Sequence, residues 1–186
     1  MNFEQFLAEL NDPGREQVRC LESIVAEVKP QLILEIGSGW GVSAVSFLRT
    51  TKARLITIDP ITNLVDFERR ITSMGFKDRV KRIIGRSGSP PPRYEKEPHH
   101  IVNTLKETFD LIFIDGSHEY AFVKEDFFNC LKIIKPKGAI VLDDFYHEHN
   151  WTGKYGVAKA VCEVAKEKKL QFRVYPAAHG IVRVDL

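Results

Sequence analysis

Four residues of this chain have the types needed for acid–base and metal chemistry: Asp115, His118, Asp143 and Asp144. Asp115 ends the apolar run Leu111-Ile112-Phe113-Ile114, and Asp143-Asp144 end the run Ala139-Ile140-Val141-Leu142. If these runs are neighbouring strands, three carboxylates converge and repel strongly unless a cation lies among them. All-oxygen ligands favour Mg²⁺, Mn²⁺ or Ca²⁺ over zinc, and magnesium keeps open sites for water or for an acceptor's oxygens. A bound metal also lowers the pKa of a hydroxyl. His118 lies on the turn leaving the same strand as Asp115, where an imidazole can take a hydroxyl proton. Ordinary roles compete, namely one aspartate as a helix cap, one paired with lysine and His118 as a solvated loop residue. The co-occurrence of all four weighs against them.

A second constellation precedes the first. Glu35-Ile36-Gly37-Ser38-Gly39-Trp40-Gly41 follows the apolar run Leu32-Ile33-Leu34, and glycines there let the backbone turn sharply and approach a ligand. A dinucleotide fingerprint needs its third glycine at position 42, which is Val42, the third glycine being Gly41. The spacing therefore argues against NAD and FAD. Asp59 ends the next strand-like run, where a carboxylate can accept both hydroxyls of a ribose and repels a 2′-phosphate. A bare tight turn with Asp59 as a cap is the simpler alternative, and the register of Asp59 speaks against it. Trp40 carries no assignment, because a tryptophan beside a glycine turn serves packing as readily as a pocket.

These residues need a frame. Strand-like runs at Leu32–Ile36, Leu55–Ile58, Val80–Ile84, Leu111–Ile114 and Ala139–Leu142 alternate with helical patterns around 42–48, 64–74, 99–107 and 121–134. That alternation predicts a parallel sheet covered on both faces. Ahead of it, Pro13-Gly14 breaks the chain, and Val18, Leu21, Ile24, Val25 and Val28 recur at helical spacing until Pro30. The runs Leu170–Tyr175 and Ile181–Val184 are joined only by Pro176–Gly180, too short for a crossover helix, so they form an antiparallel hairpin. Ser87–Pro98 holds three consecutive prolines and no apolar period, and reads as an exposed loop.

Composition sets the outer bounds. With 186 residues and 44% hydrophobic content, the expectation is one domain over 1–186, an N-terminal helical segment (1–29) on an α/β core (30–186). Against 25 acidic residues stand 27 basic ones, too even a balance for a phosphate-backbone binder, so nucleic acid is not an expected partner. The lysines at 132, 135, 137, 166, 168 and 169 lie among acids and read as solvated faces. Cys20, Cys130 and Cys162 are an odd number at wide spacing, read as reduced thiols of a cytoplasmic protein. The first ten residues lack an apolar signal core, and no run reaches the ~18 apolar residues of a membrane span. A soluble, unprocessed protein is expected.

Taken together, the run Leu34-Glu-Ile-Gly-Ser-Gly-Trp-Gly-Val-Ser43, the acid Asp59, the Ile114-Asp-Gly-Ser-His-Glu-Tyr120 turn and the Asp143-Asp144 pair resemble the class I S-adenosylmethionine-dependent methyltransferases. Within them the likeness is to the small-molecule O-methyltransferase branch, with its catechol, macrolide-sugar and cephalosporin-biosynthesis types, over roughly residues 30 to 165. The resemblance implies a Rossmann-like, doubly wound, seven-stranded, mostly parallel sheet with an antiparallel end. It implies S-adenosylmethionine as cofactor, with Glu35, Gly37, Ser38, Gly39 and Gly41 around its amino-acid part, Asp59 on the ribose, Arg86 and Ser87 at the adenine, and Asp115 nearby. It further implies Asp115, Asp143 and Asp144 as ligands of Mg²⁺ (or Mn²⁺ or Ca²⁺), His118 as the base and a small hydroxylated acceptor as partner.

One departure concerns the acceptor: the chain has no long N-terminal lid or late insertion, so its acceptor site is either open or completed by a second subunit of a homo-oligomer. Tyr146-His147-Glu148-His149-Asn150-Trp151 either lines that site or forms a polar surface loop. A nucleic-acid or protein methyltransferase is the first rival, opposed by Ile-Asp-Gly-Ser at the end of the fourth strand, where amino-group enzymes carry Asn-Pro-Pro-Tyr or Asp-Pro-Pro-Tyr. A non-catalytic cofactor-binding protein is the second, opposed by retention of the acidic cluster and His118.

Overall fold

The computed structural model describes residues 1–61, 63–89 and 98–186. Part of the proline-rich loop, including Pro90–Pro92, lies outside the described residues.

Two helices open the chain, α1 (Phe3–Ala8) and α2 (Asp12–Val28). Asn2 and Gln5 form a reciprocal capping box on α1, and the Asn11 side chain accepts the Gly14 N–H at the start of α2. Pro13 sits in the first turn of α2, where its missing N–H has no helical partner to lose. The Pro13-Gly14 pair therefore starts a helix, and α2 begins six residues before the Val18 at which its apolar period becomes readable.

The remaining elements alternate: β1 (Leu32–Ile36), α3 (Val42–Thr50), β2 (Arg54–Asp59), α4 (Val65–Ser73), β3 (Val80–Ile84), β4 (Phe109–Ile114), α5 (Tyr120–Cys130), β5 (Ile134–Leu142), α6 (Val157–Lys168), β6 (Phe172–Tyr175) and β7 (Ile181–Asp185). They build one seven-stranded sheet in the order β3-β2-β1-β4-β5-β7-β6. β7 runs antiparallel to both its neighbours, β5 and β6. The hairpin expectation holds, and because β7 is inserted inside β6, it is the one reversed strand.

Alternation along the strands splits the core into two layers. Ile33, Leu55, Leu111, Phe113 and Val141 pack with α1 to α4 on one face. Leu34, Ile58, Ile112, Ile140 and Leu142 pack with α5 and α6 on the other. Both faces of each central strand are thus apolar, as a covered parallel sheet requires.

Two boundaries differ from the sequence expectation. The helical pattern at 99–107 is only a single 3-10 turn, Ile101–Thr104. One of its residues, Val102, is buried, so no apolar stripe exists to hold a longer helix on the sheet. The pattern at 121–134 stops as α5 at Cys130, and β5 begins at Ile134 rather than Ala139 because Ile134 pairs with Phe109. The register then shifts over Pro136-Lys137-Gly138, with Lys137 at φ 67°, a bulge that a proline lacking its N–H explains.

Register positions the chemistry. Ile36 is level with Ile58 and Ile114, and Ile114 with Leu142. Gly37, Asp59, Asp115 and Asp143 therefore emerge side by side at the carboxyl ends of β1, β2, β4 and β5, where open α/β sheets bind their ligands.

Candidate active site

The glycine turn is built against β4. The Gly37 N–H donates to Ile58 O and the Asp115 N–H to Ile36 O. A Cβ on Gly37 would stand 2.1 Å from the Asp115 carbonyl oxygen, and the residue has φ +92°. Only glycine permits that approach. Asp59 closes the turn from β2: its Oδ2 accepts the N–H groups of Ser38 (2.8 Å) and Gly39 (3.2 Å), and its Oδ1 that of Ile61 (2.8 Å). Asp59 thus shapes the turn and also lines the adjoining cavity.

That cavity, of about 450 Å³, runs from Gly37 and Asp115 past Asp59 to Arg86, Ser87 and Asp126. A smaller one, of about 250 Å³, lies across the same turn between Gln17 of α2, Trp40 and Asp115. Of the expected cofactor residues, Gly37, Ser38, Gly39, Asp59, Arg86, Ser87 and Asp115 face one cavity or both. Glu35 and Gly41 do not. Glu35 is fully buried behind the turn, its carboxyl oxygens bonded to the hydroxyls of Ser43 and Thr57. Burial, opposed by those hydrogen bonds, lifts its pKa to about 7. Gly41 opens α3, with Phe67 against the place of its absent side chain. Both residues support the turn from behind.

The acidic cluster forms on the other side of Asp115. One ligand atom each from Asp115, His118 and Asp144 lies within 4.8 Å of the other two. His118 Nδ1 is 3.2 Å from Asp144 Oδ2. Asp144 has φ +62°, a left-handed backbone that aspartate tolerates better than most residues, and this bend carries its carboxylate back toward His118. Asn150 holds the bend by donating to the carbonyls of Asp144, Phe145 and His147. Asp143 stands apart from the trio. Its carboxylate accepts the Asp144 N–H (2.8 Å) and the Gln17 side chain from α2, so the cluster of three aspartates read from the sequence is an Asp–His–Asp group with Asp143 beside it.

Electrostatics follow from crowding. Burial first, then the charges of Asp143 and Asp144, push Asp115 well above the usual carboxylate range. Asp143 rises to about 6 through burial and Asp144. Burial lowers the His118 imidazole, against the pull of Asp144. The His118 ring packs on Tyr155 (centroids 4.5 Å apart), and His147 packs on the same tyrosine and on His149 and His179, each at 4.6–4.7 Å. Three of the six histidines, His118, His147 and His149, thus pack on Tyr155 beside the carboxylates, and His179 packs on His147. Of the segment 146–151, His147 and His149 join this wall, while Tyr146 and Trp151 are largely exposed.

Sequence reading missed Gln17, Tyr155 and Asp126, and named Asn150 only as part of the 146–151 segment. Only Asp126 left a signal, as a carboxylate in the buried period Val123, Phe127, Cys130 of α5. A further cavity of about 300 Å³ opens at the amino ends of β1 to β3, on the far side of the sheet from this chemistry. No helix among the described residues is long and apolar enough to cross a membrane.

Comparison with known proteins identifies the family and the fold. An O-methyltransferase of Aspergillus hancockii is 29% identical over 150 residues, covering 75% of this chain and 55% of that protein. Catechol O-methyltransferase B of Danio rerio is 31% identical over 134 residues, covering 70% and 48%. The chain thus spans about half the length of these curated relatives. The crystal structure of the O-methyltransferase TomG of Streptomyces achromogenes, involved in tomaymycin synthesis and solved with S-adenosylmethionine, superposes with a TM-score of 0.73 at 21% identity, over 91% of this chain and 79% of that one. It shares the fold. Residues 34–145, more than half of the chain, match the family described as the methyltransferase domain, so by this match and by its glycine turn and strand order the chain belongs to that family.

Proposed function

We propose that this chain is an O-methyltransferase that binds S-adenosylmethionine along the 450 Å³ cavity and methylates a hydroxyl of a small acceptor beside Asp115, His118 and Asp144. The observation that carries the reading is the position of Asp115, which belongs both to the cavity wall and to the Asp–His–Asp group. A ligand along the glycine turn and an acceptor at the carboxylates would meet there. The cavity volume lies within the ~300–1,000 Å³ usual for small-molecule sites.

S-adenosylmethionine supplies an activated methyl group, and a divalent cation supplies a lowered hydroxyl pKa. The carboxylates of Asp115 and Asp144, which offer oxygens within 4.8 Å of each other, fit a hard ion such as Mg²⁺, whose oxygen ligands stand about 2.0–2.1 Å from it. Asp115 and Asp144 would hold it, with Asp143 alongside. His118, whose Nδ1 lies 3.2 Å from Asp144 Oδ2, would take the acceptor's proton. The resulting imidazolium sits against the Asp144 carboxylate. Tyr155 packs against the His118 ring and would hold it in place. Much of the acceleration comes from this positioning and charge stabilisation.

The relatives' names support a hydroxylated small-molecule acceptor, and the reduced cysteines, none of them paired, support a cytoplasmic location. Calorimetric titration with S-adenosylmethionine, with and without Mg²⁺, tests the first step. Micromolar binding is expected. Methyl transfer to a panel of catechols and sugar hydroxyls should stop with EDTA and return with Mg²⁺. Binding without turnover under any metal would leave a cofactor-binding protein, and absence of binding would remove the methyltransferase reading.

A further inference from the structure

Arg70 lies on the buried face of α4 although it carries a charge. Phe67, Arg70 and Ile71 are the buried residues of that helix, a spacing of three and four that puts them on one side. A buried guanidinium is costly unless its N–H groups are met, and Arg70, 6% exposed, divides them between two elements. Its Nη1 donates to the Trp40 carbonyl oxygen in the glycine turn (2.9 Å). Its Nη2 (3.0 Å) and Nε (3.3 Å) donate to one oxygen of Glu9, the residue that caps the end of α1. Phe67 meets the turn from the same face, since a Cβ on Gly41 would stand 3.0 Å from its ring. α4 therefore holds two successive residues of the turn, Trp40 and Gly41.

Glu9 is already paired without Arg70. Arg69 donates to both its oxygens (2.9 and 3.0 Å) and to Asp66 (3.1 Å), so α1 and α4 are tied at the surface by a neighbouring arginine. What Arg70 adds is the contact with the turn. The Trp40 C=O and the Gly41 N–H belong to one planar peptide unit, and that N–H donates to the Ser38 carbonyl (2.9 Å). Fixing the Trp40 carbonyl thus fixes the bond that closes the turn. Such a hold matters here because Gly39 and Gly41 have φ of +46° and +80° and nothing stands within 4 Å of the place of a Gly39 side chain, which leaves the backbone its full glycine freedom. Arg70 itself lines neither cavity of the site. Resting on the S-adenosylmethionine reading above, we infer that Arg70 is a positioning residue: through the Trp40 carbonyl it locks the glycine turn in the shape that receives the cofactor, and Glu9 of α1 orients its guanidinium for that task.

The test sets Arg70→Met against Arg69→Met in the full chain. Both remove a guanidinium from Glu9, and only the first releases the turn. Hydrogen exchange read by mass spectrometry on the ligand-free protein follows residues 38–45, where the Gly41 and Val45 N–H groups are bonded to the Ser38 and Gly41 carbonyls. This stretch should exchange about tenfold faster in Arg70→Met and within about twofold of the wild type in Arg69→Met. In calorimetry, affinity for S-adenosylhomocysteine should fall about tenfold in Arg70→Met and less than about threefold in Arg69→Met, because a turn that must be ordered on binding weakens the complex. If Arg70→Met does not fold, Arg70→Lys replaces it. Lysine keeps the charge beside Glu9 but lacks the planar fork that reaches two elements at once, and both effects should then be about three- to tenfold.

Equal effects of the substitutions at 69 and 70 would make Arg70 a second clamp between α1 and α4 and overturn the proposal. So would unchanged exchange over residues 38–45 in the Arg70 variant, or faster exchange there with S-adenosylhomocysteine affinity kept. Failure of the wild type to bind S-adenosylhomocysteine, with the exchange pattern as expected, would instead overturn the S-adenosylmethionine reading and leave the hold of Arg70 on the turn standing.

Discussion

At the scale of single residues, the decisive contact is the 3.2 Å between His118 Nδ1 and Asp144 Oδ2. It sets the imidazole beside a carboxylate that would stabilise its protonated form, the placement the proposed base role needs. His118→Ala should lower turnover by about two to four orders of magnitude while S-adenosylmethionine affinity changes less than about threefold. Single-turnover kinetics beside a binding titration would read this, and an unchanged rate would return His118 to a structural role. His118, Asp115 and Asp144 were legible because each ends or leaves an apolar run, and strand ends can be counted. The partner of Asp143 was not. Gln17 lies 126 residues away on α2, and nothing in a helical period states which strand end its polar face meets. Asp143, hydrogen-bonded to Gln17, stands beside the Asp–His–Asp group.

The glycine turn carries the argument at the scale of elements. Gly37 and Gly39 both have positive φ, yet a Cβ on Gly37 meets the Asp115 backbone whereas one on Gly39 meets nothing within 4 Å. Gly39→Ala should therefore cost only the left-handed backbone strain, about 1–2 kcal/mol. Gly37→Ala must also push β1 and β4 apart at their carboxyl ends and should cost about 3 kcal/mol or more, a fall in Tm of roughly 6–12 °C. Thermal unfolding of the two variants side by side checks the difference, and equal Tm values would refute the close approach. The strand-turn-helix order of this region was readable because glycine spacing and apolar runs are local. The stretch 99–107 was misread as a helix because its apolar residues match a helical period, while burial reaches only Val102. Periodicity reports where a helix could form, and packing decides whether it does. The single reversed strand was legible only as a hairpin, since the insertion of β7 between β5 and β6 depends on pairing partners far apart in sequence.

Across the whole molecule, the central strands are apolar on both faces except behind the glycine turn, and the exception has a cost that depends on pH. Glu35 lies in the middle of the layer formed with α2 and α3, fully buried, with a pKa raised from the ordinary 4.5 to about 7. The fold therefore favours its protonated form, and the unfolded chain releases that proton at much lower pH. Stability from this group is fully present below about pH 4.5 and is lost as pH rises through about 7. A shift of that size corresponds to about 3 kcal/mol at most. Glu35→Gln keeps the shape and the Ser43 and Thr57 neighbours but cannot ionise. Between pH 5 and pH 8.5 the wild-type Tm should fall by about 5–10 °C more than that of the variant. The carboxylates of the acidic cluster titrate in both proteins, so they cancel from the comparison. Parallel Tm curves would mean that Glu35 is already ionised in the fold, and the hydroxyls of Ser43 and Thr57 would then be holding a buried charge behind the glycine turn.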